Sequence, residues 1–332
     1  MNRRDIDNFL ESLLTDDVSD NVKNMIMSLD NDGKKAIANY YDVESSFHNH
    51  ADILKNVYRF GLDTSNHDKI YHYTTVESLE KILESGYFLI KASDYMNDPD
   101  EFRWASRLGK NHLEELGAGK EEIAEFDRMI ESQPFKDSYI WSFTKNNDSL
   151  TLFNVYGKGM GVSIEFDLSE VMHELAMQNS NGKKSLENFG YGDAYTFPLR
   201  VEYNEQIQKA YVNPVVEEWL SAYRAYKKDP FDMKEILLHC SKNMFLFNMI
   251  FKNPSLNHEE ELRFIVLKIG DQNRIPDTVI SGVPYTKFNI NHDLLKKVKL
   301  QTNNSYSTDG VRVLLDQNGY HRVIIQNSKL PY

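Results

Sequence analysis

The chain has 332 residues, 41% hydrophobic and 27% charged, which excludes wholesale disorder and fibrous repeats and leaves room for one large domain or two smaller ones. Lys and Arg number 38 against 50 Asp and Glu, so the net charge of −12 argues against coating of DNA by bulk positive charge, while a local basic groove stays open. One cysteine, Cys240, excludes an internal disulfide and a cysteine-rich zinc site.

The arginine pair at the start is followed by no apolar stretch, so it does not read as a signal peptide. Phe245 to Phe251 with its flanks is interrupted by Lys242, Asn243 and Asn248, short of the roughly 20 apolar residues that span a bilayer. The expectation is a cytoplasmic protein with no membrane contact.

Residues 1–66 carry apolar side chains at helical spacing, Ile6, Phe9, Leu10 and Leu13, then Val22, Met25, Ile26 and Leu29. Asp16, Asp17 and Asp20 mark a break, and Asp30-Asn31-Asp32-Gly33 reads as the end of the second helix. Acids outnumber bases here by 12 to 7. The segment is expected to be a helical, acidic extension, either for interaction and regulation or as a cap on residues 67–332.

Ile70-Tyr71-His72-Tyr73 reads as a strand, and Thr74 to Glu77 has the spacing of a capping box before a helix stopped by Gly86. Tyr87–Ile90 is a second strand, followed by the turn-rich Asp94 to Pro99 and charged helices over 101–132. Ser138–Phe143 and Gly161–Phe166 are further strands, flanking a loop with Asn154, Tyr156, Gly157 and Gly159. Residues 180–193 read as a polar loop, Pro198–Tyr203 as a strand, and 213–228 and 232–251 as long helices. Strands are expected from Glu261 to Val266 and near Val311–Leu315 and Val323–Gln326. Interleaving without strict βαβ spacing points to an α+β sheet.

No phosphate loop, dinucleotide glycine fingerprint, nucleophile elbow or zinc-protease helix is present. His48-Asn49-His50 lacks a third ligand at sensible spacing, and no metal is expected. Alternation directs His72 to one face of its strand and both tyrosines to the other, where His72 is either a hydrogen-bonded core histidine or a functional one. Along Glu259 to Val266, read as one strand, Glu259, Glu261 and Arg263 share a face, an ordinary solvated edge or a site. Glycines at 157, 159 and 161 allow close backbone approach to a ligand, with Tyr156 available for stacking.

These pieces together resemble the bacterial domain-of-unknown-function family 2971. The resemblance rests on Tyr-His-Tyr-Thr-Thr, Met-Asn-Asp-Pro-Asp-Glu, Trp-Ser-Phe-Thr, Tyr-Gly followed by Gly-Val-Ser-Ile-Glu-Phe-Asp, and Glu-x-Glu-Leu-Arg, in that order, with Gly319-Tyr320 and Pro331-Tyr332 in the tail. It runs from about residue 69 to the end. That family in turn resembles the ADP-ribosyltransferase fold, a split mixed β-sheet with flanking helices, here carrying the helical N-terminal extension.

The resemblance implies NAD as co-substrate, with His72 on a ribose hydroxyl, Tyr156 stacking, and Tyr73, Ser142 and Arg263 also binding the cofactor. It implies Glu261 as the carboxylate that stabilises the oxocarbenium-like ribose, with Glu259 as general base on the acceptor. The implied activity is mono-ADP-ribosylation by a bacterial toxin or anti-phage effector, on RNA, DNA or protein, restrained by an antitoxin or other inhibitory partner on the N-terminal helices. An NAD glycohydrolase and a non-enzymatic nucleotide- or partner-binding module are the alternatives. Asn97 and Asp98 are either cleft rim or a plain turn before Pro99. The tail cluster Lys296, Lys297, Lys299, Arg312, Arg322 and Lys329 is either a phosphate-binding patch or a set of solvated side chains.

Overall fold

The computed structural model describes residues 3–96, 101–132, 138–180, 192–228, 233–269 and 275–331. Asn97 and Asp98, and most of the polar segment 180–193, lie outside the described residues. The chain divides into a helical unit, Met1–Arg59 with Asp100–Pro134 and Glu202–Pro254, and a sheet unit, Phe60–Pro99 with Phe135–Val201 and Ser255–Tyr332. This division differs from the expected boundary at residue 66. The N-terminal helices share a unit with helices drawn from the middle of the chain, because their apolar stripes are buried there: Ala36, Ile37 and Ala38 are between 0% and 4% exposed.

In the helical unit, Arg3–Leu13 and Asp20–Ser28 form as their spacing predicts. A third helix, Asn31–Tyr41, was not anticipated. Asp30 starts it rather than ending the second, since its carboxylate accepts from the Gly33 N–H. Ser46–His50, Ile53–Phe60, Trp104–Glu115 and Lys120–Glu131 follow. Glu205–Tyr226 begins well before the expected 213, because Asn204 accepts from the Gln206 and Ile207 N–H groups and Pro214 is accommodated inside. Met233–Ile250 completes the unit, with Cys240 buried in it. Among the described residues no helix is long and apolar enough to cross a membrane.

Among the described residues the sheet unit holds ten strands: β1 Lys69–Thr75, β2 Tyr87–Ala92, β3 Ser138–Thr144, β4 Gly161–Asp167, β5 Ala194–Arg200, β6 Glu261–Lys268, β7 Thr278–Ile280, β8 Val283–Asn289, β9 Lys297–Leu300 and β10 Ile324–Asn327. Helices Val76–Ser85, Leu168–Gln178 and Thr308–Gln317 flank them, so the α+β class holds. One path runs β10-β9-β4-β1-β3-β2-β8-β7, mixed because β9 and β10 are parallel, and β6 and β5 branch from β3. Pro198 is tolerated because β6 is the only strand in a ladder with β5 among the described residues; beyond it lies an isolated bridge, Gly61↔Leu199, where the Pro198 carbonyl accepts from the Leu62 N–H.

Three local expectations change. Thr75, not Thr74, caps the helix after β1, accepting from the Ser78 N–H, while Glu77 pairs with Lys81. Val311–Leu315 is helical: Ser307 caps Thr308–Gln317 through the Gly310 N–H, and Val311 and Leu315 are the i, i+4 positions buried on the core. The segment after Asn146 is not an open loop but a short helix at Leu150–Leu152 running into a π-turn at Phe153–Gly157.

Glu218 is the buried polar group that most constrains the helical unit, at 1% exposure. One carboxyl oxygen accepts from Asn39 Nδ2 at 2.9 Å, and the other has no hydrogen-bond partner among the described residues. Burial pushes its carboxyl up to about 8. A raised carboxyl means that the folded state holds a proton the unfolded chain has released. Its contribution is therefore complete below the ordinary carboxylate range and is lost as pH climbs toward 8, by at most about 1.4 kcal/mol per pH unit. Urea midpoints at pH 5 and pH 8.5 should fall markedly in the parent chain and much less in Glu218→Gln.

Candidate active site at the split of the sheet

β6 pairs with β3 along its whole length, from Ser138↔Leu267 to Thr144↔Glu261. Both other neighbours of β3 must share its remaining edge. β2 takes the start, at Tyr139 and Ile140, and β1 takes the end, at Tyr71↔Thr144 alone. Between them, at Trp141–Phe143, β1 and β2 part from β3 and the sheet splits.

His72 lies at this split. Its Nδ1 is 3.0 Å from the Ser142 carbonyl oxygen, which only accepts, so Nδ1 carries the hydrogen. The ring stands against Phe88, Trp141 and Phe143 at 5.7, 6.2 and 5.7 Å. Burial holds the imidazole below its ordinary pKa, hence neutral. In that tautomer Nε2 presents a lone pair and accepts a hydrogen bond.

Two further polar atoms at the split, Trp141 Nε1 and Ser142 Oγ, are buried without a hydrogen-bond partner among the described residues. Buried polar groups are ordinarily hydrogen-bonded, so these two atoms keep hydrogen-bonding capacity for a water or a ligand.

Glu261 opens β6. Its two carboxylate oxygens receive Arg263 Nε and Nη2, both at 2.9 Å, and Arg263 is completely buried. The pair is bidentate, which fixes the direction of the carboxylate. Glu261 and Arg263 share a face, as alternation predicts. Glu259 does not join them. It ends a 3-10 turn over Pro254–Glu259, and Glu260 at φ +46° reverses the chain before the strand begins.

Strand registers add residues that periodicity alone did not single out. Lys297, Glu165, Tyr71, Thr144 and Glu261 oppose one another in turn across β9, β4, β1, β3 and β6, and therefore share one face. Lys297 Nζ is 2.8 Å from Glu165. Glu261 lies two strands from Tyr71, about 10 Å at ordinary strand spacing. His72, the next residue along β1, points to the opposite, aromatic face, against Phe88, Trp141 and Phe143. Alternation had already separated Tyr71 from His72, but the row needs the register.

The expected Tyr73 contact is spent elsewhere. The Tyr73 hydroxyl donates to the Asn146 carbonyl and accepts from the Ser149 N–H, both at 2.9 Å, and burial pushes it up to about 12. It ties β1 to the segment before the π-turn instead of facing a cofactor. Tyr156 sits on that π-turn, partly exposed at 36%. Gly161 is needed for packing, since a Cβ there would come within 2.8 Å of Gln301 Oε1 and 2.9 Å of Phe153, whereas Gly159 serves a φ of +84°.

Residues 152–264 match the family model described as "Protein of unknown function (DUF2971)". The match contains Tyr156, Glu261 and Arg263 and stops short of His72, so it is narrower than the motif resemblance that begins near residue 69. No curated protein matches the chain. Among solved structures, DarT of Thermus sp. 2.9 in complex with NAD+ is similar at 14% identity and a TM-score of 0.31, covering 80% of this chain and 96% of that one. The same protein in complex with ADP-ribosylated ssDNA is similar at 13% identity and a TM-score of 0.29, covering 78% of this chain and 94% of that one.

The basic tail is largely neutralised. Lys296 pairs with Glu170, Lys299 with Asp148 at 3.4 Å, Arg312 with Asp316 and Arg322 with Asp293. A continuous phosphate-binding patch there is not what the side chains form. Among the described residues no group of three or more His, Cys, Asp or Glu is placed to hold a metal ion.

Arg263→Met withdraws the guanidinium from a buried carboxylate and should cost about 3–5 kcal/mol in urea unfolding, with Glu261→Met/Arg263→Met recovering part of that loss. Gly161→Ala should cost about 1–3 kcal/mol, because Phe153 and Gln301 must move, and a shift in urea midpoint at unchanged slope would report it.

Proposed function

We propose that the chain is an NAD-dependent ADP-ribosyltransferase whose reaction centre is the split between β1 and β3. The observation that carries this reading is His72, held neutral at the split with Nε2 ready to accept a ribose hydroxyl, together with a carboxylate at Glu261, on the opposite face of the sheet, whose direction Arg263 fixes. The orphaned Trp141 Nε1 and Ser142 Oγ fit a polar ligand entering there. The motif resemblance agrees with the same residues.

In the proposed reaction the bond between the ribose C1′ and the nicotinamide nitrogen breaks, and its electron pair leaves with nicotinamide. The ribose gains oxocarbenium character, which the Glu261 carboxylate stabilises. An acceptor nucleophile then supplies the electron pair of the new C1′ bond and loses its proton to a base. Glu259, in the turn immediately before Glu261, is the candidate base. Tyr156 is the candidate stacking ring, and Ser142 and Arg263 complete the cofactor side.

The deciding experiment incubates the purified chain with NAD labelled in its ADP-ribose half and separate pools of RNA, DNA and protein. Label should enter one pool with equimolar nicotinamide release, and Glu261→Gln, checked for folding, should slow both by about 100-fold or more. Nicotinamide release without label in any pool would replace transfer by hydrolysis. No consumption of NAD by the folded parent chain would remove the enzyme reading.

A further inference from the structure

The helical unit carries a cavity of about 260 Å³ that plays no part in the proposed reaction. Its walls are Tyr40 and Tyr41 at the end of helix Asn31–Tyr41, Phe47 and His48 of the next short helix, Asp52, and His239 of helix Met233–Ile250. The rings interlock edge to face: Tyr40 stands 5.2 Å from Tyr41 and 5.7 Å from His239, and Phe47 stands 5.8 Å from His239. The rear wall is fixed, with Phe47 at 4% exposure and His239 Nε2 2.7 Å from the Ala51 carbonyl oxygen, to which it donates. The front wall is open, with Tyr41 at 58% exposure.

Charge around these rings is negative. Asp52 holds its carboxylate at the rim by capping the helix that follows, accepting from the Lys55 N–H at 3.0 Å. It also pairs with the exposed Lys55 ammonium at 3.5 Å, a surface contact that an incoming cation exchanges readily. Glu235, on the same helix as His239, lies close enough to act with burial in pushing the Tyr40 hydroxyl up. The surrounding residues 1–66 carry five more acids than bases. Aromatic rings in a negative field attract cations, and a planar guanidinium also stacks on them.

We propose that this cavity is a binding pocket for an arginine side chain presented by a basic peptide segment of a partner protein. The guanidinium stacks on the exposed Tyr41 ring, which Tyr40 backs edge to face, and pairs with Asp52 at the rim. Charge complementarity selects the occupant: a neutral or acidic segment meets Asp52 and Glu235 unfavourably, while an arginine exchanges with Lys55 and gains the rings. The pocket belongs to the helical unit, so the inference does not depend on NAD chemistry at the split.

The test titrates the full chain with acetyl-(Gly-Arg)3-amide and with the same peptide carrying citrulline, which keeps the shape and removes the charge. Saturable binding of the arginine peptide is expected, at least tenfold tighter than the citrulline peptide. Asp52→Asn preserves the helix cap and removes the charge, and should weaken binding about tenfold. Tyr41→Ala, at an exposed position, should weaken it about fivefold or more. Asp16→Asn, an exposed acid away from the pocket, should leave it unchanged. Absence of saturable binding to the folded chain, equal affinity for both peptides, or equal losses in Asp52→Asn and Asp16→Asn would overturn the proposal.

Discussion

A β-strand has two hydrogen-bonding edges, and the sheet unit asks β3 to serve three neighbours. β6 occupies one edge completely, so β1 and β2 divide the other and diverge between their two short contacts. The split is the consequence. Where backbone pairing stops, the His72 ring takes the Ser142 carbonyl that a ladder N–H would otherwise occupy. Two polar side-chain atoms beside it, Trp141 Nε1 and Ser142 Oγ, are buried without hydrogen-bond partners among the described residues.

The same strand arrangement explains why Glu261 and Arg263 are buried together instead of forming a solvated edge. β6 is flanked on both sides, by β3 and β5, so its polar face cannot reach water along an edge. A carboxylate there needs a bidentate partner two residues away, and the guanidinium meets it with paired bonds. Such a pair contributes little net stability but fixes direction, which is what a transition-state carboxylate requires. Tyr73 does comparable work for β1 by tethering the segment that leads into the π-turn carrying Tyr156.

Much of this was legible in the residues. Alternation in Tyr71-His72-Tyr73 and in Glu261-Leu262-Arg263 assigned the faces correctly, because a pleated strand leaves side chains no other choice. Failures came where a cap or turn outweighed local pattern. Val311 and Val313 look like strand residues until Ser307 caps a helix over them, and Glu259 looks like a strand residue until Glu260 turns the chain. β7, β8 and β9 are not legible in the sequence because their short or partly polar runs carry weak alternation.

The sequence by itself determined the α+β class, the strands that carry His72, Tyr73, Ser142, Glu261 and Arg263 and the faces to which these residues point, since these follow from side-chain periodicity and local hydrogen bonding. It also determined the excess of acid in the first 66 residues. Only the tertiary structure decided which strands are neighbours, and hence where the sheet splits and which residues join Glu261 in one row. It also decided that acid and aromatic residues distant in sequence, from Tyr40 to His239, close around one cavity. Pairing and packing of distant segments depend on which edges and faces remain unfilled after the rest of the chain has folded, and no local window of residues contains that information.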